Sequence, residues 1–118
     1  MAFKLPALGK KKRKDQLINR KLQIISKSAP FQYVEAYKTL RTNINFMAAS
    51  NNYRRLVITS SIPDEGKSSV AINLSISLAE NGKKVLIIDC DLRKPAMHKY
   101  LRITRRASGL TNVLSGEA

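Results

Sequence analysis

One loop constrains this chain more than any other feature: Ser61-Ile62-Pro63-Asp64-Glu65-Gly66-Lys67-Ser68, set between a short β-branched run and a long stretch without Gly or Pro. It matches G-x-x-x-x-G-K-[ST] at every fixed place except the first, where Ser61 stands for Gly. The preceding Leu56-Val57-Ile58-Thr59 is short and apolar, the pattern of a buried strand. After the loop, Lys67 to Asn81 carries Val70, Leu74 and Leu78 on one side and Ile72, Ile76 and Ala79 on another, which predicts a helix packed on more than one neighbour. Gly82 stands where a left-handed cap ends such a helix, and Lys83-Lys84 suit the negative end of its dipole. Strand, loop and helix in this order aim the loop amides and the positive helix terminus at one place. That arrangement holds phosphate oxygens. Lys67 would reach the β and γ oxygens, and the Ser68 hydroxyl would ligate Mg²⁺.

Val85-Leu86-Ile87-Ile88 is apolar at every position and predicts a second strand buried on both faces. A strand, a crossover helix and a strand form a right-handed βαβ unit with parallel strands, so both strand ends open on one edge of the sheet. Ligands of open α/β sheets collect at that edge. There stands Asp89-Cys90-Asp91-Leu92-Arg93. Two carboxylates two residues apart can address one Mg²⁺, and one of them can orient or deprotonate an attacking hydroxyl. Cys90 between them reads as a small buried residue, and His98 as a surface or capping histidine. Short helices are expected at 96–101 and 109–114, with a basic turn at 102–106 between them. The fold class is therefore α/β, a P-loop NTPase-type parallel sheet with flanking helices, present as a partial βαβ unit preceded by an N-terminal helix. Two strands are few for a sheet buried on both faces, so residues 29–118 read as the N-terminal part of a larger domain, truncated before a further acid-ending strand.

That first helix begins at Phe31. Val34, Tyr37, Leu40, Ile44 and Met47 line one face, Glu35, Lys38, Arg41 and Asn45 another, and Ser50-Asn51-Asn52 ends it. Upstream, half of the chain's net charge of +14 falls in residues 1–21, where eight Lys and Arg side chains face Asp15 alone. Residues 1–28 read as a basic flexible tail: a phosphate-binding arm, a patch for anionic lipid heads, or a solvated leader. No aromatic residue interrupts Lys10 to Lys21, so the tail offers no platform for base stacking, and sequence-specific nucleic-acid reading is not expected. A single cysteine excludes an internal disulfide and fits a reducing compartment. The longest aliphatic run, Val85 to Ile88, is far too short to cross a bilayer. A cytoplasmic location is expected.

Taken together, Ser-Ser-Ile-Pro-Asp-Glu-Gly-Lys-Ser-Ser and Val-Leu-Ile-Ile-Asp-Cys-Asp-Leu-Arg-Lys-Pro resemble the bacterial tyrosine kinases of capsule and exopolysaccharide synthesis. The Asp-x-Asp-Leu-Arg element is similar to the family's second Walker motif. Glu35-Ala36-Tyr37-Lys38-Thr39-Leu40-Arg41-Thr42-Asn43-Ile44 is similar to the helix by which its members associate, with Lys38 where Arg is usual, and Ser108 to Gly116 also fits. The resemblance runs from about Phe31 onward. It implies ATP and Mg²⁺ as cofactors and transfer of the γ-phosphoryl group to tyrosine, including autophosphorylation. It implies nucleotide contacts from Ser61, Pro63, Asp64, Glu65, Gly66, Lys67, Ser68, Ser69 and Arg93, and Mg²⁺ contacts from Ser68, Asp89 and Asp91. Lys67, Asp89 and Asp91 would carry catalysis, with Asp89 assisting the hydroxyl, and Glu35, Lys38 and Arg41 oligomerisation. The family's tyrosine cluster is absent, since Tyr33, Tyr37, Tyr53 and Tyr100 are scattered. The chain looks like the split cytoplasmic form, recruited to the inner membrane face by a membrane-embedded activator or polysaccharide co-polymerase and assembling as a homo-oligomer. Two alternatives remain open: a MinD/ParA-like ATPase, which carries Lys where Ile62 stands, and a non-catalytic interaction fragment.

Overall fold

The computed structural model describes residues 24–103 and 108–118. The basic tail lies outside them up to residue 23, and the basic turn expected at 102–106 is described only to residue 103. Four helices are present among the described residues: α1 (Phe31–Asn51), α2 (Lys67–Glu80), α3 (Met97–Tyr100) and α4 (Leu110–Ser115).

The punctuation expected from sequence sets the helix ends. Helix α1 follows Pro30, whose carbonyl accepts from the amides of Tyr33 and Val34 at 3.0 and 3.2 Å. It stops at Asn52, which adopts the left-handed conformation at φ 54°, one that Asn tolerates better than most residues. Helix α2 opens on Gly66 at φ 88°, where a side chain would be strained, and closes through Gly82 at φ 79°. The Gly82 amide donates to Ala79 O at 2.9 Å and the Lys83 amide to Leu78 O at 3.2 Å, which satisfies the last carbonyls of the helix.

Helices α1 and α2 pack on each other and hold the core. Ile72 and Leu74 of α2 are buried, as is Ile25 from the segment ahead of α1. Asn73 and Ser77 lie buried beside them and are polar, so their partners decide how the helices meet. Asn73 Oδ1 accepts from the Ile25 amide at 2.7 Å, and its Nδ2 donates to the Tyr33 hydroxyl at 2.8 Å. Arg41 Nη1 donates to Ser77 O at 2.8 Å. These contacts correct the expected facing of α1 in part. Val34, Tyr37 and Ile44 are half-buried as expected, together with Tyr33, Arg41 and Ala48, while Leu40 and Met47, expected inside, are 36% and 57% exposed. The polar anchors on α2 select the side of α1 that can answer them, and its apolar pattern is too diffuse to compete. Ile25 falls in the segment expected to belong to the tail, and it is fixed to the helical pair by both burial and a hydrogen bond.

The parallel sheet expected around α2 does not form among the described residues. Residues 53–60 and 83–91 carry no strand assignment. Leu56, Val57, Leu86 and Ile88, expected to be buried, are 56%, 85%, 83% and 52% exposed. A strand exists through the ladder of a neighbour, and neither segment has one here. Cys90 is likewise exposed where a buried residue was expected.

Candidate nucleotide-binding site

The loop ahead of α2 is built by three local devices. Gly66 turns the chain in the left-handed region, and its carbonyl then accepts the Val70 amide at 2.9 Å, the first full helical bond. Asp64 also has positive φ, at 63°, and Asp tolerates this better than a branched residue. Ser60 Oγ donates to Ile62 O at 2.8 Å, which folds the chain back at the start of the loop. A longer contact, 3.4 Å from the Ile62 amide to Glu65 Oε2, spans the loop's width.

An open cleft of about 580 Å³ lies against this loop, lined by Thr59, Ser60, Ser61, Glu65, Gly66 and Lys67 among others. Lys67 is half-buried and its Nζ donates to Ser60 Oγ at 2.8 Å. Ser68 and Ser69 are half-buried in the first turn of α2, Ser61 and Glu65 are exposed at the cleft, and Pro63 and Asp64 are exposed in the loop outside its lining. Amides of the first helical turn have no intrahelical acceptors, so the mouth of α2 offers donors and a positive dipole end to an anion, with an ammonium beside it.

The second motif forms a compact loop of its own. Asp89 Oδ1 accepts from the Asp91 amide at 3.1 Å, and its Oδ2 accepts from the amides of Ala96 and Met97, each at 3.2 Å. Asp89 thereby ties residues 89–97 together and holds the start of α3. Asp91 Oδ1 accepts from the Lys94 amide at 3.0 Å. Arg93 is exposed, and His98 is half-buried in α3. The hydrogen bonds of Lys67, Asp89 and Asp91 run within their own motif or to its immediate flanks. Among the described residues no group of three or more His, Cys, Asp or Glu side chains gathers as a metal site. Ser68 and Asp91 are hard oxygen donors of the kind Mg²⁺ takes, and two protein ligands suffice for an ion that keeps phosphate oxygens and water.

The expected oligomerisation residues divide. Glu35 and Lys38 form an exposed pair at 2.7 Å, and Arg41 is turned onto Ser77 of α2 instead of standing free. Sequence reasoning missed Ser60, Asn73 and Tyr33. For Asn73 a signal existed: a polar residue between Ile72 and Leu74 in the middle of an apolar helix needs a buried partner. Ser60 gave none, since its role depends on where the Lys67 side chain lies.

Residues 56–112 match the family described as the CobQ/CobB/MinD/ParA nucleotide binding domain, a P-loop domain of α/β class. The chain is similar to the tyrosine-protein kinase YwqD of Bacillus subtilis, with 48% identity over 80 residues, covering 68% of this chain and 33% of that protein. Tyrosine-protein kinase CpsD of Streptococcus agalactiae is 43% identical over 84 residues, covering 71% of this chain and 36% of its own. The succinoglycan biosynthesis transport protein ExoP of Rhizobium meliloti is 34% identical over 116 residues, 15% of its length. The chain thus spans about a third of YwqD and of CpsD. No solved structure matches it. A phosphate-type loop at the mouth of α2, an acidic motif after it and this similarity agree, and over the part of its length that they cover the chain is similar to bacterial tyrosine kinases.

Proposed function

We propose that this chain is the nucleotide-binding portion of an ATP-dependent protein tyrosine kinase that serves capsule or exopolysaccharide synthesis. The observation that carries the reading is Lys67, half-buried at the mouth of α2 with its ammonium beside an open cleft, behind a glycine whose conformation the loop requires. Lys67 and the amides of the first helical turn would bind the β and γ oxygens, while Ser61, Pro63, Asp64, Glu65 and Ser69 shape the cradle and Arg93 contributes from the second motif. Mg²⁺, held by Ser68 and Asp91, would offset charge on the transferred phosphoryl group. Asp91 suits that task because one of its oxygens remains unengaged by backbone. Asp89 keeps the loop in shape through three amide bonds and could orient the tyrosine hydroxyl only with its remaining lone pairs.

The parallel sheet belongs to the same proposal. The exposed apolar segments at 56–57 and 86–88 are the surfaces that further strands would cover. A membrane-embedded activator and association in which Glu35, Lys38 and Arg41 take part are proposed on family resemblance, and contact of the basic tail with anionic lipid on its charge. Arg41 would have to leave Ser77 to join such an interface. Among the described residues no helix is long and apolar enough to cross a membrane. Calorimetry with MgATP on the full-length gene product, beside Lys67→Ala, tests the site. The substitution should weaken binding by about 1.5 to 3 kcal/mol, the range for hydrogen bonds to charged groups. Equal affinities would remove Lys67 from the assignment. Incubation with ATP and detection of phosphotyrosine tests the chemistry, and ATP hydrolysis without phosphotyrosine would favour a MinD/ParA-like ATPase.

A further inference from the structure

Ser60 immediately precedes the loop motif and is half-buried at the edge of the cleft. Its Oγ lies 2.8 Å from Ile62 O and 2.8 Å from Lys67 Nζ. An ammonium group can only donate, so the hydroxyl proton must point to the Ile62 carbonyl and an oxygen lone pair to Lys67. The direction of donation is thereby fixed, from Lys67 to Ser60 to the loop backbone. A single hydroxyl both closes the turn that starts the loop and gives the lysine a fixed resting place.

A lysine side chain is otherwise a flexible four-carbon stem, and an anion that captures it must freeze its rotamers. With one N–H engaged by Ser60, the ammonium is already beside the cleft and keeps two N–H bonds for incoming oxygens. We propose that Ser60 is a positioning residue for phosphate binding, which holds the Lys67 ammonium ready at the mouth of α2 through its hydroxyl. This inference rests on the nucleotide-binding reading of the cleft. It predicts a polyphosphate-specific effect carried through Lys67, because Ser60 spends its only proton on Ile62 O.

The test is calorimetric titration of MgATP and MgADP into the full-length gene product and its variants. Ser60→Ala should weaken both nucleotides about five- to tenfold, as expected for losing one preorganising contact to a charged group. Ser60→Thr, which keeps the hydroxyl, should stay within about twofold of the parent. In a Lys67→Ala background, Ser60→Ala should add no further loss, since nothing remains to be positioned. A thermal melt of each variant shows whether the fold is intact. Parent-like affinity in Ser60→Ala, with Lys67→Ala weakened, overturns the proposal and leaves the site reading standing. A Ser60→Ala loss that persists in full in the Lys67→Ala background also overturns it, because the hydroxyl would then act on the loop alone. A parent protein that binds no MgATP defeats the nucleotide reading and the proposal together.

Discussion

Asn73 occupies a place in α2 where the neighbouring residues Ile72 and Leu74 are apolar and buried, and it makes the helix face usable by answering two groups at once. Its amide oxygen takes the Ile25 N–H and its amide nitrogen serves the Tyr33 hydroxyl. Asn73→Leu, close in size, takes the acceptor away from the Ile25 N–H in a low-dielectric setting. We expect a loss of about 1 to 3 kcal/mol, measurable by chemical denaturation. Asn73→Asp should also be poor, because it places a carboxylate charge at a fully buried position. At Gly66 the expectation is different in kind. Gly66→Ala meets no neighbouring atom yet must hold φ 88°, so it should cost about 1 to 2 kcal/mol through backbone strain alone. The glycine was legible from sequence because the motif fixes it. The pairing of Asn73 with Tyr33, forty residues earlier, was not, since no local rule links them.

Helix α1 shows how far periodicity carries. Its limits follow from Pro30 and Asn52, both visible in the sequence, yet the side it buries is set by Tyr33, Tyr37 and Arg41 more than by its aliphatic residues. Tyr33 and Tyr37 meet edge to face, with ring centroids 5.2 Å apart. Burial pushes the Tyr37 hydroxyl above its usual range near 10.0, and hydrogen bonding to Tyr33 adds to the rise. A phenol whose pKa is raised by folding keeps its proton in the folded state after the unfolded chain has lost it. Its stabilising contribution is whole below the unfolded value and declines as pH climbs through the folded one. Stability of the helical pair should therefore fall above about pH 10, and Tyr37→Phe should flatten that fall, as followed by helical circular dichroism. The two cations of the helix should separate in the same assay. Arg41→Ala removes a bond to the α2 backbone and should cost about 1 kcal/mol. Lys38→Ala removes one end of an exposed pair and should stay within about 0.5 kcal/mol.

At the scale of the molecule, the order of the helices was readable and tertiary pairing was not. The α2 helix, its capping glycines, and the short helices near 97–100 and 110–115 stand within a residue or two of where punctuation placed them. The two apolar runs were read as buried strands, and they lie open, because burial of a strand is a property of its neighbours and no local pattern supplies them. Exposed β-branched runs of this kind are sticky. The 118-residue chain should scatter light at micromolar concentration, and Val57→Lys with Leu86→Lys should reduce scattering while leaving helical circular dichroism unchanged. The small core carries one more consequence. Ile25, Ile72 and Leu74 are the buried apolar side chains among the described residues, so opening the helical pair uncovers little new surface. The dependence of unfolding free energy on urea scales with that surface, and the transition should be broad, with a slope at or below the low end of about 1 kcal/mol per molar seen for small proteins. A polar-anchored pair of this kind should loosen gradually over a wide span of denaturant, where a large apolar core would give way at a sharp midpoint.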